Sequence, residues 1–387
     1  MKKNILGVNK SVFLLGIVSF LTDISSEMIF SVFSIFFTLI IGASVMLLGV
    51  VEGLADFASS SLDYVSGFIS DKTGKRKVFA SAGYLFSAAA KAILVFSSAI
   101  SSAAVFRVIE RFGKSFRGPP RDAWIASLSD KKTKGYSFGV HKALDKAGAV
   151  VGPFCAYLLL NYFGQNIQTF KLLFKVALVP AILAFLLVFL IKEKKAAPAK
   201  KESMFRAYKT LGKDFKHYFY TAGIFSIAYF SFGFLLLKAY SVGFQIKEIV
   251  LLYALFNIAF VIVSAPIGKI GDMVGRKRII AAEYVIYLLM CIGFIFAFSK
   301  IHVILLFILF GIFYAIDEGQ SRAYITDLEK TRKATAIGAY NFATGIIYLP
   351  ASVIAGLLWK LNSNYAFGFA ALASLAAFVF FVAKRKR

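Results

Sequence analysis

Uncharged apolar runs long enough to cross a bilayer recur along this chain, and basic residues mark every second loop between them. Lys and Arg gather at 2–3, 72–77, 131–134, 192–216, 276–278, 330–333 and 384–387, while the loops near 41–44, 98–102, 161–168 and 361–364 hold almost none. A helix needs about 20 apolar residues to cross the hydrocarbon core, so a chain of this length with short loops holds about twelve spans. Alternation of basic loops is the positive-inside pattern, and it places both termini in the cytoplasm. The sequence therefore reads as an all-α, multi-pass protein of the cell (cytoplasmic) membrane. Its 59% hydrophobic content exceeds the 45–50% or so of soluble chains.

A formal charge of +25 in a soluble protein would point to nucleic acid. Here the charge sits in cytoplasmic loops, and no nucleic-acid partner is expected. The first apolar run starts at Ser11 and has no small-residue cleavage site before Asp23, so no cleavable signal peptide is read. Cys155 and Cys291 lie in apolar runs without metal-ligand spacing and are expected as free buried thiols. A phosphate-binding Gly-x4-Gly-Lys-Ser/Thr loop is absent, which argues against ATP-driven work. No catalytic Ser/His/Asp set is seen, and the reading includes no enzyme activity, cofactor or metal.

The spans are placed at about 11–40, 44–70, 78–99, 101–118, 136–161, 169–191, 218–241, 247–271, 279–299, 302–326, 334–359 and 364–383. Residues 1–191 form a first six-helix half and 218–387 a second. Between them, 192–217 is a basic cytoplasmic linker with a candidate surface helix from Glu202.

Several spans carry charge. In the fourth, Arg107, Glu110, Arg111, Lys114 and Arg117 fall at steps of three and four, on one helix face. One such charge costs about 2.5–3.5 kcal/mol at the bilayer centre. The face must therefore look onto protein or a water-filled path, where ionisable groups mark ion or substrate routes. The Gly118-Pro119-Pro120 run is expected to break this helix as it leaves the bilayer. A solvated helix in a cytoplasmic loop stays open for Arg121 and Asp122. In the first span, Asp23 and Glu27 are one turn apart. Asp23 lies about 18 Å from the cytoplasmic end and Arg111 about 15 Å from the outer one, so the two are expected to meet near mid-membrane. A purely structural pairing of acids and arginines is the alternative. Glu52 and Asp56 repeat the four-residue spacing in span two. His141 and Asp145, one turn apart in span five, are a further candidate proton relay, or a capped or solvated pair near the cytoplasmic end. Asp317, Glu318 and Arg322 are the charged residues of span ten.

The halves repeat. Gly67, Asp71 and Gly74 recur as Gly268, Asp272 and Gly275 at an offset of 201, each set followed by a basic triplet beginning at Lys75 or Arg276. Ala123-Trp124-Ile125 recurs as Ala323-Tyr324-Ile325 at an offset of 200, which also aligns Arg117 with Asp317. Both copies start in the cytoplasm, so this is a parallel repeat.

Gly67-x3-Asp71-Lys72-x-Gly74-x-Arg76-Lys77 resembles the loop between spans two and three of the major facilitator superfamily, and the likeness runs over essentially the whole chain. The second copy is weaker, with Met273 where a basic residue is usual. The resemblance implies twelve transmembrane helices in two pseudo-symmetric six-helix halves. It also implies a charge relay at the cytoplasmic rim among Asp71, Arg76 and Asp122, with Gly268, Asp272, Gly275 and Arg276 as the second copy. An anchor-only role for these basic residues stays open. Gly139-x8-Gly148-x3-Gly152-Pro153 is similar to the antiporter motif of the family's exporters, although Ala156 and Tyr157 stand where two more glycines are usual. Close helix packing through small residues is the other reading.

The leading expectation is a proton-coupled secondary transporter, an exporter working by alternating access, with a small-molecule substrate, protons and the lipid bilayer as partners and a monomeric state. Asp23 and Glu27 would take the proton, and Arg107 and Arg111 would serve as countercharges or substrate ligands. A transporter of an anionic metabolite or metal chelate, in either direction, and a membrane sensor that moves nothing are the alternatives.

Overall fold

The computed structural model describes residues 4–96, 99–129, 134–193, 212–329 and 333–383, and for Asn4, Tyr64, Asp71 and 333–335 the backbone alone. The expected surface helix from Glu202 lies outside the described residues. Apart from a two-residue hairpin, Asn4–Ile5 against Val8–Asn9, the described chain is helical.

The first unit is built on α1 (Lys10–Ile35), α2 (Val45–Thr73), α3 (Arg76–Phe96), α4 (Ile100–Leu128), α5 (Lys134–Phe163) and α6 (Ile167–Phe189). Asn9 caps α1 by accepting from the Ser11 amide at 2.9 Å, which satisfies one of the helix's orphan donors. The helix widens into a π turn over Phe36–Ile40. The second unit is built on α7 (Lys213–Ala228), α8 (Phe232–Ser241), α9 (Ile246–Val274), α10 (Arg276–Ile295), α11 (Lys300–Leu328), α12 (Lys333–Leu361) and α13 (Ser363–Ala383). Among the described residues eleven helical segments are long and apolar enough to cross a membrane, α7 and α8 together forming one of them. A further long helix, α4, has 29 residues, about 43 Å of helix, and is too polar to count among them.

The compact units are Met1–Gly42, Ala58–Lys201 and Ile246–Ala254 on the one hand, and Ala43–Phe57, Glu202–Gln245 and Leu255–Arg387 on the other. The first turns of α2 thus cluster with the second unit and those of α9 with the first. Within the second unit, Gly49 and Gly53 of α2 lie against Ser352 and Leu349 of α12.

Two helices differ from expectation. The proline pair does not break α4, which runs on to Leu128. Pro119 has no amide to give the Ser115 carbonyl, and the Ser66 hydroxyl of α2 donates to that carbonyl instead, at 3.0 Å. A re-satisfied carbonyl of this kind is what lets a membrane helix carry proline. The seventh span, expected as one helix over 218–241, starts at Lys213 and is interrupted at Tyr229–Ser231. There Ser231 leaves helical geometry and caps α8 by accepting from the Gly233 amide.

Each unit has an apolar core. In the first, Val12, Leu15 and Val18 pack with Ala80, Tyr84, Trp124 and Val188. In the second, Phe260, Ile267, Ala315 and Ile316 form one cluster. Large apolar side chains such as Ile262, Leu289 and Leu372 face outward, as a lipid solvent requires.

Candidate functional site

In the first unit the charged face of α4 turns inward. Arg107, Glu110 and Arg117 are buried, and α3 adds Lys91, fully buried in the middle of an apolar run. Lys91 Nζ donates to Ser26 Oγ at 3.0 Å, and that hydroxyl donates to Glu110 Oε1 at 3.2 Å. Arg117 Nη1 donates to Ser87 Oγ at 2.5 Å, and its guanidinium lies 5.0 Å from the Tyr84 ring centroid. Arg107 stacks on Phe30 at 4.4 Å, with Phe33 at 5.7 Å, and Arg111 lies 6.0 Å from Phe30. A guanidinium against an aromatic face is held by the ring quadrupole.

Glu27 is buried, and Tyr253 of α9 donates its hydroxyl to Glu27 Oε2. Asp23 does not take Arg111 as its chief partner. The charges acting most strongly on it are Asp145, Lys114, Glu27 and Lys146. The reason is register: α4 carries Arg107 and Arg111 to the level of Phe30, about two turns further along α1.

The α1–α5 contact explains the glycine motif in part. A Cβ on Gly148 would meet the Phe20 carbonyl and Asp23, and one on Gly152 would lie 2.6 Å from the Ile24 carbonyl and 3.1 Å from Glu27 Cβ. These two glycines let α5 lie directly on the acid-bearing face of α1. Pro153 is buried beside Gly152. Gly139 has open space around it and takes no part in close packing. His141 is buried rather than solvated, with Nε2 2.8 Å from Ser19 Oγ. Arg121 Nη1 donates to the same hydroxyl at 3.3 Å. Lys142 pairs with Asp145 at 3.6 Å.

The rim differs between copies. In the first, Asp122 pairs with its neighbour Arg121 at 3.0 Å rather than with Arg76, whose Nε has no hydrogen-bond partner. An adjacent guanidinium reaches Asp122 first. The Asp71 side chain lies outside the described residues. Lys77 Nζ donates to the Phe189 and Ile191 carbonyls, each at 2.8 Å, and so caps the end of α6. Lys72 is exposed. The second, weaker copy holds a complete bridge: Arg276 reaches Asp272 at 2.7 Å and Asp327 of α11 at 2.6 Å. Gly74 and Gly275 both have positive φ, +69° and +98°, so both turns need the freedom of glycine. Gly67 abuts Pro119, with 3.1 Å to a Cβ placed there, whereas Gly268 has no close neighbour.

In the second unit, Glu283 of α10 is buried, and Asp317 of α11 is the charged group that acts most strongly on it. Glu283 Oε2 has no hydrogen-bond partner. Tyrosines surround the pair. Tyr218 and Tyr340 stack with centroids 5.8 Å apart, and Tyr218 also meets Tyr324 edge-on at 5.0 Å. Tyr284 follows Glu283 in sequence, and Tyr229 contacts Tyr348 at 5.0 Å. Glu318 and Arg322 act on Asp317, but Arg322 is exposed and Glu318 half-buried. The offset of 200 aligns Tyr84 with Tyr284 as well as Arg117 with Asp317. Where one unit places a guanidinium near a tyrosine, the other places two acids.

Lys91, Glu283, Tyr253 and Asp327 were not singled out from the sequence. The first two had a signal: one charge in the middle of an otherwise uncharged apolar run. The others are brought to their partners by packing between distant segments. Cys291 is buried and Cys155 half-buried, both free. Among the described residues no cluster of His, Cys, Asp and Glu could hold a metal ion.

Membrane-capable helices that bury ionisable groups in both units define a class, the polytopic membrane proteins. The chain belongs to the major facilitator superfamily, whose family model matches residues 15–316 and 239–387. It is 36% identical over 368 residues to an uncharacterised MFS-type transporter of Methanocaldococcus jannaschii, covering 93% of this chain and 91% of that one. An uncharacterised protein of Mycobacterium tuberculosis is 24% identical over 316 residues, covering 79% and 76%. The fold is similar to that of the nucleoside transporter NupG in a D323A mutant structure, at a TM-score of 0.80 and 13% identity, covering 97% of this chain and all of the other. A POT family transporter in complex with a thioalcohol-conjugated peptide matches at a TM-score of 0.80 and 12% identity, covering 99% and 96%. These two likenesses establish the fold alone.

Proposed function

We propose that this protein is a proton-coupled secondary transporter that exports a small molecule across the cytoplasmic membrane by alternating access, with both termini in the cytoplasm. The observation that carries the coupling is the burial of Glu283 within reach of a second acid, Asp317, inside membrane-spanning helices. Two acids buried near each other away from water do not both stay ionised. A protonatable pair buried in membrane-spanning helices is a coupling site in need of an exit, and Glu283 Oε2 offers a second acceptor. Asp23, Glu27, Arg107, Glu110, Arg111 and Arg117 supply the polar lining of the other unit. The Arg276 bridge supplies a rim contact that can open and close. The outward direction rests on the exporter-like Gly148 and Gly152, which set α5 against the Asp23–Glu27 face of α1.

A second reading puts the proton on Asp23, which packs against Gly148 of α5, the helix that also carries the acid Asp145. The test is proton movement in proteoliposomes. Adding a transported solute under an imposed pH difference should move protons opposite to it. Asp317→Asn should stop that movement and leave downhill exchange. If Asp317→Asn still accumulates solute under the pH difference and Asp23→Asn does not, the second reading holds.

A further inference from the structure

In the second unit a carboxyl group is buried with one oxygen unsatisfied, against a wall of tyrosines. Glu283 is 1% exposed, and its Oε2 accepts no hydrogen bond. An acid left so within membrane-spanning helices is costly and marks an ion or substrate path. Asp317 beside it is half-buried, as are Tyr229, Tyr340 and Tyr348. Asp317 acts on all three of these tyrosines, and Glu283 acts on Tyr340 too. Behind them Tyr218, Tyr284 and Tyr287 are buried. Tyr340 stacks on Tyr218, and Tyr348 meets Tyr229, whose ring stacks on Tyr287 at 6.3 Å. Phe225 joins the two groups, 4.8 Å from Tyr284 and 5.2 Å from Tyr287. The break between α7 and α8 begins at Tyr229, and discontinuous helices mark substrate sites in transporters.

The charges around this wall favour a positive ligand. Besides Glu283, Asp317 feels Glu318 and Arg322, and Arg322 is exposed. Asp56 of α2, in the same unit, acts on Tyr348. Among the described residues Lys238 is the one buried cation of this unit, and its Nζ donates to Asn364 at 3.1 Å in the last turn of α8. At the start of α10, Arg276 is bound to Asp272 and Asp327, and Lys277 is exposed over Phe381 at 5.6 Å. His217 stacks on Phe380 at 4.9 Å. Acids and rings in one place select the ligand further. Aromatic faces attract a cation through the ring quadrupole and suit one that carries carbon groups. A bare metal ion takes six or more oxygen ligands, or about that number, and among the described residues no cluster of His, Cys, Asp and Glu could supply a site.

We infer that Glu283, Asp317, Tyr229, Tyr340 and Tyr348 form the binding site for an organic cation, an ammonium whose charge the acids hold and whose carbon groups the rings cover. This inference rests on the transport reading above and deepens it by naming the substrate class. A positive ligand beside the acids favours their ionised form. Cation and proton therefore compete for one pair of acids, and each leaves as the other arrives.

The test is a thermal-unfolding screen of the purified full-length protein in detergent. Probes are the chlorides of benzyltrimethylammonium, phenyltrimethylammonium and tetraethylammonium. Controls are N,N-dimethylbenzamide as a neutral ring, benzoate as an anion, and sodium and potassium chloride as bare cations. The organic cations should raise the midpoint saturably and the controls should not. Glu283→Gln and Asp317→Asn should each weaken that effect by about tenfold or more, the worth of one charged contact. Asp317→Asn, at a half-buried position, keeps the test open should Glu283→Gln fail to fold. Tyr348→Leu should weaken the effect, and Tyr348→Phe, which keeps the ring, should weaken it less. Glu248→Gln, in the first turn of α9, should bind as the parent does. Equal stabilisation by the amide or by benzoate, by sodium or potassium at the same concentrations, or by no organic cation at all overturns the inference. So does cation binding unchanged in Asp317→Asn. Cation binding without proton movement in proteoliposomes leaves this site standing and removes the coupling reading. Proton-driven movement of a neutral solute, without cation binding, does the reverse.

Discussion

The Ser66 hydroxyl donates to the Ser115 carbonyl at 3.0 Å, four residues before Pro119. This bond replaces the one that proline removes from α4 and keeps the charged helix continuous to Leu128. Ser66→Ala should lower the thermal-unfolding midpoint, by a change of about 1–2 kcal/mol, because it leaves a buried carbonyl unsatisfied. Pro119→Ala in the same chain should restore most of the loss, since an alanine amide can bond Ser115 again. Equal effects of Ser66→Ala with and without Pro119 would show that the two are not coupled.

The glycines of α5 should separate cleanly. A methyl group at Gly152 lands 2.6 Å from the Ile24 carbonyl, whereas one at Gly139 meets nothing within 4 Å. Gly152→Ala should destabilise by about 1–3 kcal/mol, the usual range for overpacking. Gly139→Ala should be neutral or slightly stabilising. Midpoints measured side by side decide it; similar losses at both positions would contradict the α1–α5 packing described here.

At the rim, Arg276 joins Asp272 and Asp327 through exposed contacts. Such pairs add little to stability, so their removal should show in transport and not in folding. Asp327→Asn should slow transport while protein yield and unfolding midpoint stay unchanged. Asp122→Asn, which loses only its neighbour Arg121, should transport nearly as the parent does. Unchanged kinetics in Asp327→Asn would leave the Arg276 cluster as a membrane anchor.

Topology can be tested by labelling single cysteines in intact cells, with Cys155 and Cys291 replaced. Lys192→Cys should be protected from an impermeant reagent and Lys360→Cys should react, since the basic loops place 192 inside and the uncharged loop after Lys360 outside. Reaction at both would refute the orientation.

Much of this architecture was legible because bilayer crossing leaves a coarse signal. Apolar runs set the spans, and repeated Gly67 and Gly268 motifs set the two halves. The charged face of α4 was readable from residue spacing, since steps of three and four fix a helix face whatever the partner. Partners were not readable. Residue counting along each span puts Asp23 and Arg111 at similar depth, yet register along α1 takes Arg111 to Phe30. Nothing local marks Tyr253 as the donor to Glu27, because they are 226 residues apart. The proline pair misled for the same reason: its missing bond is made good by Ser66, in another helix. Glu283 stood alone in span nine without a motif, and only packing against α11 shows it as half of an acid pair.

The central claim is that Glu283 and Asp317 hold a proton between them. Infrared difference spectroscopy of the protein in lipid at neutral pH measures this directly through the C=O stretch of a protonated carboxylic acid. Subtracting the spectrum of Asp317→Asn, and separately that of Glu283→Gln, from the parent spectrum should leave the same protonated-carboxyl band, shifted in deuterated buffer. If neither variant loses such a band, the pair is not protonated and the proposed coupling site is wrong.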